Sequence, residues 1–252
     1  MKRQRLLILV LASLASIAVI ALFGWNASRS GRAEEGSPIL KYPDFPPTPT
    51  IAQPPTSGPQ VAGATLFSEH FDSPDALTRW EFVDEPDLQP EDRGVWIGKD
   101  GALAQNRTGN AGNPSTAETM AMTGDVKWAD YTVSMKVYDQ NNATFGLVAR
   151  RQGNSFYRYR IIANGYEAKT KQVLEKVVNG VATPLASTDS PGYEQRQWHN
   201  VALSVAGAQI RVTLDGKVVA EVTDSTFASG QAGLYTRALG GIRFDDFLIA
   251  TP

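Results

Sequence analysis

The stretch AQIRVTLDGKVVAEVT, residues 208–223, leaves the chain little freedom of fold. Ile210, Val212 and Leu214 alternate with Gln209, Arg211 and Thr213, then Asp215-Gly216 interrupts, and Val218, Ala220 and Val222 resume the alternation. Period-two alternation buries one face of a strand, and a DG dipeptide between two such runs is a strong short-range hairpin signal. The pattern recurs. VLEKVVNGVATPLA repeats it around Asn179-Gly180, YTVSMKVY puts Tyr131, Val133, Met135 and Val137 on one face, and HNVALSV does the same with His199, Val201, Leu203 and Val205. No window of comparable length has a helical period. Many short strands with turns about every ten residues predict an all-β, antiparallel two-sheet sandwich of the jelly-roll kind. No fixed-period repeat is visible, which excludes a propeller or solenoid.

This texture begins near Leu66, and two other textures precede it. MKRQR is followed by a run without charge from Leu6 to Trp25. At 1.5 Å per residue the run is about 30 Å long, a hydrocarbon core's thickness. Residues 1–26 are therefore expected to be a cytoplasmic stub and an uncleaved signal anchor, with a cleaved signal peptide and a secreted product as the alternative. Lys2, Arg3 and Arg5 keep the N-terminus cytoplasmic, making a single-pass cell-membrane protein with its C-terminal part outside the cytoplasm. Residues 27–62 form a Pro/Ser/Thr-rich linker: eight of the fifteen prolines fall there, Pro38 and Pro59 outermost, and such a segment cannot bury enough apolar surface to offset its ordering entropy. Residues 63–252 are the folded domain.

Composition closes several routes. The 252-residue chain has no cysteine, so disulfides, thiolate metal sites and cysteine lipidation are excluded. Its net charge of −2 gives nucleic acid no electrostatic footprint. Two histidines, His70 and His199, supply no zinc spacing, and neither a phosphate-binding glycine loop nor a serine nucleophile elbow is present.

Within SFYRYRII, residues 155–162, Tyr157, Tyr159 and Ile161 take the core parity and Arg158 and Arg160 the other. The preceding run FGLVARR ends in Arg150 and Arg151 and pairs with it through QGNS, so an arginine cluster is expected on the outer surface of one sheet. Tyr138, Tyr166, Tyr235 and Arg237 join it if their strands are neighbours. Two readings stay open: a network of internal ion pairs, or a groove that takes a ligand.

The segments LFSEHFDSPDALTRWEF, DGAL, WADYTVSMKV, FGLVARRQGNSFYRYRI, QWHNVALSVAGAQIRVTLDGKVVAEVTDSTFASGQAGLY and IRFDDFLIA occur in one order between about Leu66 and Ala250. Together they resemble the concanavalin A-like, laminin G-like jelly rolls of bacterial surface proteins, a superfamily shared with family 16 glycoside hydrolases and 3-keto-disaccharide hydrolase domains. The resemblance implies two packed antiparallel sheets, with glycans bound on a concave face. It also implies a structural Ca²⁺ between the terminal strands SEHFD and RFDDF, with Glu69 and Asp245 as side-chain ligands and backbone carbonyls completing the shell.

The family 16 carboxylate pattern has no counterpart here. EPDLQPE carries Glu85, Asp87 and Glu91 one residue too far apart, and Pro86 and Pro90 bar it from a central strand, so it reads as an acidic surface loop. Glu167 and Glu175 sit among lysines and read as solvated charges, and Glu221 points outward on a hairpin. His199, within an apolar parity, reads as a structural histidine.

The functional expectation is a membrane-anchored extracytoplasmic module without catalysis. It binds a glycan or cell-envelope polysaccharide through Arg150, Arg158, Arg160, Tyr138, Tyr166, Tyr235 and Arg237, and no cofactor is expected beyond structural Ca²⁺. Two alternatives stay open: a glycoside-active enzyme resembling the 3-keto-disaccharide hydrolase domains, and an envelope adhesion protein with a protein partner.

Overall fold

The computed structural model describes residues 63–252, except 87, 89, 91, 92, 107–117, 166, 238 and 239. The expected anchor and linker lie outside the described residues. Among those described, no helix is long and apolar enough to cross a membrane.

The described strands form two sheets, and every pairing between them is antiparallel. In the first, β13 (Lys217–Thr223), β12 (Gln209–Leu214), β11 (Trp198–Ala206), β6 (Tyr131–Asp139), β15 (Ile242–Ala250), β4 (Ala102–Gln105) and β3 (Trp96–Lys99) lie side by side, and β1 (Thr65–Glu69) also pairs with β15. In the second the order is β10 (Val181–Thr188), β9 (Gln172–Val178), β8 (Ser155–Ile162), β7 (Thr144–Gln152), β14 (Gln231–Arg237), β5 (Thr119–Thr123) and β2 (Glu81–Asp84). One 3₁₀ turn, Ala76–Arg79, follows β1.

The turns obey their dipeptides. Asp215 and Gly216 between β12 and β13, and Asn179 and Gly180 between β9 and β10, all have positive φ, as the primed hairpin turns require. Asp215 then does more than turn the chain. Its Oδ1 accepts from the Asn200 N–H at 2.8 Å, and its Oδ2 lies 2.7 Å from His199 Nδ1. The other ring nitrogen of His199 lies 2.7 Å from the Glu194 carbonyl, so this histidine is structural, as its apolar parity suggests.

The core lies between the sheets. Tyr131, Val133, Met135 and Val137 of β6 and Tyr157, Tyr159 and Ile161 of β8, from opposite sheets, are all buried in one cluster. Each large side chain removed from water contributes about 2–3 kcal/mol, before conformational entropy is subtracted. The second sheet has a further apolar cluster on its other face. Met122, Val148, Phe156, Val177 and Tyr235 are buried there, away from the main core. A sandwich sheet with both faces partly buried has its outer face covered or recessed, and that sets the place of the site.

The expected position of Arg150 needs correction. Strand β7 is bulged between Ala149 and Gln152, and Arg150 has a φ of 52°. A bulge breaks the in-out alternation, so Arg150 turns into the rim of the sandwich instead of joining the outer arginines. Its Nε donates to Ala129 O at 2.9 Å, and its Nη1 donates to Gly207 O and Phe227 O at 2.8 Å. Its Nη2 meets Asp130 at 3.1 Å, and its backbone N–H donates to the Tyr131 hydroxyl at 2.6 Å. One planar guanidinium thereby ties three loops together. Gly230 closes the same corner, where a Cβ would lie 2.2 Å from the Arg150 carbonyl carbon.

Candidate functional site

Alternation along β8 puts Phe156, Arg158 and Arg160 on the outer face of the second sheet, opposite in parity to the buried tyrosines. Register then supplies the neighbours. Phe156 faces Val177 on β9, Arg158 faces Glu175, and Arg160 faces Val173. On the other side, Arg158 faces Val148 of β7 and Arg160 faces Gly146, which in turn faces Tyr235 of β14. Tyr235 pairs with Met120 of β5, and Met120 with Val83 of β2. These rows floor a cleft of about 170 Å³. Its apolar wall includes Val83, Met120, Phe156 and Val177, and its polar groups include Asp84, Glu85, Glu118, Asn154 and Arg158.

Arg158 is the hub. Its Nε donates to Glu175 Oε1 at 2.8 Å, its Nη2 lies in ion-pair contact with the same oxygen at 2.7 Å, and its Nη1 donates to Glu118. Glu118 also accepts from the Tyr235 hydroxyl at 2.8 Å, and the guanidinium carbon lies 4.4 Å from the centre of the Tyr235 ring. Arg160 Nε reaches Glu175 Oε1 at 3.0 Å. Burial opposes the Arg158 charge, but Tyr235, Glu118 and Glu175 outweigh it and the guanidinium pKa is raised. Burial likewise raises the Tyr235 phenol. At the cleft mouth the Glu85 carboxyl is raised, first by desolvation and also by the neighbouring charge of Glu118, against the pull of Arg237 and Arg158.

The seven residues expected to hold a glycan thus separate. Arg158 lines the cleft. Arg160 and Tyr235 lie on the same face and share its network, and Arg237, two residues beyond Tyr235 on β14, acts electrostatically on Glu85. Arg150 belongs to the loop corner described above. Tyr138 lies on β6 in the opposite sheet, where its ring sits 5.5 Å from that of Trp198. Tyr166 lies outside the described residues. Arg151, beyond the bulge, bonds Glu81 and Gln231 at 3.0 and 2.9 Å.

Three cleft-associated carboxylates escaped the sequence reading. Glu175 is buried between two arginines, not a solvated charge. Its parity with Val173 and Val177 was a usable signal, since it placed Glu175 on an outer face that also carried apolar residues. Glu85 was read as surface loop, and the cleft gives it a wall. Glu118 had no local signal, because it reaches Arg158 only through the order of the strands. Phe156 was visible in SFYRYRII as the third member of the arginine parity.

The terminal strands pair as expected, with Glu69 opposite Phe247. The Glu69 carboxylate is engaged by the Phe71 N–H at 2.9 Å and by the Arg79 guanidinium. Asp245 lies with His70 and Asp246, their ligand atoms within 4.8 Å of one another. Lys136 and His70 both bind Asp246, which holds its carboxyl below the ordinary range despite burial. Calcium needs six to eight oxygens. Glu69 as arranged does not fit that demand, because both its oxygens already have protein partners. A calcium ion joining Glu69 to Asp245 would have to displace Arg79.

Comparison with known proteins agrees with the architecture. The model of the family described as the galactocerebrosidase C-terminal lectin domain matches residues 113–251. A carbohydrate binding module, CBM66, from Bacillus subtilis is similar in structure with a TM-score of 0.54 and 16% identity, covering 69% of this chain and 96% of that one. A Bacillus subtilis protein of unknown function with a galectin-like fold has a TM-score of 0.56 and 13% identity, over 75% of this chain and 97% of that one. The GH43 BlXynB protein from Bacillus licheniformis has a TM-score of 0.51 and 15% identity, and the match covers 73% of this chain but only 39% of that longer one. At these identities the three share a fold. No curated protein matches the sequence.

Proposed function

The chain belongs to the galactocerebrosidase C-terminal lectin domain family, and from that premise we propose that its folded part is a carbohydrate-binding module without catalysis of its own, held outside the cytoplasm by its N-terminal segment. The observation that carries this reading is the cleft on the second sheet. A sugar ring presents an apolar C–H face and a rim of hydroxyls, so its site needs an apolar wall and a few fixed polar groups. Met120, Phe156 and Val177 supply the wall, and Asn154, Glu118 and Arg158 the polar groups. Because Arg158, Glu118 and Tyr235 brace one another, little side-chain freedom is lost when a ligand binds. The structural likeness to a carbohydrate binding module from Bacillus subtilis is in keeping with this. The uncharged run after MKRQR supports the anchor.

A glycan array probed with the full chain tests the module. Ala182 is exposed on the edge strand β10 and lines the cleft, so Ala182→Trp fills the cleft from outside the core. Binding by the wild type and its loss in Ala182→Trp, with an unchanged circular dichroism spectrum, is the expected result. Binding that survives the block would refute the cleft. For the anchor, the protein should resist carbonate extraction from membranes, and a soluble form starting near Ala27 would refute it.

A second reading, a glycoside-active enzyme, is favoured by one observation: Glu85 and Glu118 share the cleft, and desolvation raises the Glu85 carboxyl. A pair of carboxyls in one cleft, one of them raised by desolvation, is what acid–base cleavage of a glycoside uses. Release of new reducing ends, abolished in Glu118→Gln, would favour it over the module.

A further inference from the structure

The geometry points to a neutral glycan as the ligand class, and to exclusion of acidic sugars. This inference rests on the proposed reading of the cleft as a sugar site. Two arginines side by side on one face suggest an anion receptor, but the cleft is built the other way. Among the described residues, its charged lining consists of Asp84, Glu85 and Glu118 against the single cation Arg158.

That cation is already spent. A carboxylate binds arginine best across the Nε–Nη2 edge or on the outer Nη nitrogens. Glu175 holds the Nε–Nη2 edge and Glu118 holds Nη1. Glu118 therefore occupies the position that the carboxylate of a uronic or sialic acid would seek. Arg160 is turned to Glu175 through Nε, and Arg160 and Arg237 lie outside the cleft lining. An incoming acidic sugar would meet three carboxylates and displace one of them to reach the guanidinium. Like charges facing each other across an interface are a common device for rejecting the wrong partner. Hydroxyl groups meet the opposite situation. Ionised carboxylates only accept hydrogen bonds, and sugar hydroxyls donate them. Asp84 Oδ1 takes the Gly94 N–H at 3.0 Å, while Glu85 sits exposed at the mouth.

The test pairs neutral galacto-, gluco- and manno-oligosaccharides with their C6-oxidised uronate counterparts of equal length, titrated calorimetrically into the full chain at low salt. The expected result is binding of at least one neutral series, with its uronate counterpart weaker by about tenfold or more. Glu85→Gln, an exposed substitution that leaves the buried network intact, should narrow that gap. Uronates binding as tightly as the neutral series, with both lost in Ala182→Trp, would overturn the specificity and leave the sugar site standing. Uronates binding the wild type but not sensing Glu85→Gln would also overturn it. Absence of binding to every neutral and oxidised probe by the folded chain would overturn the sugar site itself.

Discussion

Arg158 and Glu175 face each other directly across β8 and β9, joined by a 2.8 Å hydrogen bond from Nε and a 2.7 Å ion-pair contact from Nη2 to the same carboxylate oxygen, and both side chains are almost sealed from water. An outward arginine on a sandwich strand ordinarily adds little to stability. Among the described residues, Arg158→Ala would leave Glu175 buried with Arg160 alone, and the Glu118 carboxylate with Tyr235 alone. The expected cost is about 3–5 kcal/mol, the range found when one partner of a buried ion pair is removed. Arg160→Ala, whose side chain is 29% exposed, should cost about 1 kcal/mol or less. Urea midpoints at constant m-value give both numbers, and equal midpoints for the two variants would contradict the hub role of Arg158.

Arg150 should behave differently from the cleft arginines. Its loss strands the carbonyls of Ala129, Gly207 and Phe227 at once, so Arg150→Ala is expected to cost about 3–5 kcal/mol. Arg150→Lys should recover only part of this, because an ammonium cannot span the fork. Sugar binding by the remaining folded protein should not change, which separates a scaffold arginine from a binding one.

What the sequence revealed was what local geometry decides. The hairpins at Asp215-Gly216 and Asn179-Gly180 need positive φ at adjacent positions, and those residue pairs announce it. The core parity of Tyr157, Tyr159 and Ile161 follows from alternation alone. Arg150 was misplaced because a bulge resets alternation at a point that no residue pattern marks. The Glu118–Arg158–Tyr235 contact was illegible for another reason. Those residues lie on β8, β14 and just before β5, separated by 40 and 117 positions, and only the strand order of the finished sheet makes them neighbours. Glu175 falls between these cases. Its parity was readable, but β8 and β9 are not joined by a tight turn, so its register against Arg158 was not.

Whether the terminal strands hold calcium has a direct test in thermal melts with chelator and with excess Ca²⁺. Arg79 already pairs with Glu69, and Lys136 with Asp246 next to Asp245. The expected result is that the two melts coincide. A melting temperature that rises with Ca²⁺ concentration, as mass action requires of a bound ligand, and that loses this response in Asp245→Ala, would show that the metal displaces the protein cations.

Asp139 gives stability a pH dependence of its own. Its Oδ2 accepts from the Tyr193 hydroxyl at 2.7 Å and from the Ala143 N–H at 3.2 Å, while its Oδ1 is buried without a hydrogen-bond partner among the described residues. Burial dominates those bonds and pushes the carboxyl up to about 6, from an ordinary aspartate value near 4. A raised acid pKa means that the folded state binds the extra proton. Its stabilising contribution is therefore complete below pH of about 4 and is lost as pH rises through about 6. Across that window the loss is on the order of 2–3 kcal/mol. Asp224 works in the opposite sense at lower pH. Its carboxyl is held well below the ordinary value because Lys176, Thr226 and Tyr157 overcome its burial, so its contribution falls away as the solution is acidified below about pH 4. The difference between wild type and Asp139→Asn isolates the Asp139 effect, since Asn cannot titrate and keeps an oxygen for Tyr193. Urea unfolding at intervals from pH 4 to pH 7 should show the wild type losing stability relative to the variant as pH rises, with most of the change complete by about pH 6.5. A difference that stays flat across this range would show that Asp139 is ionised throughout, and that its hydrogen bonds from Tyr193 and the Asn141 and Ala143 backbone outweigh its burial.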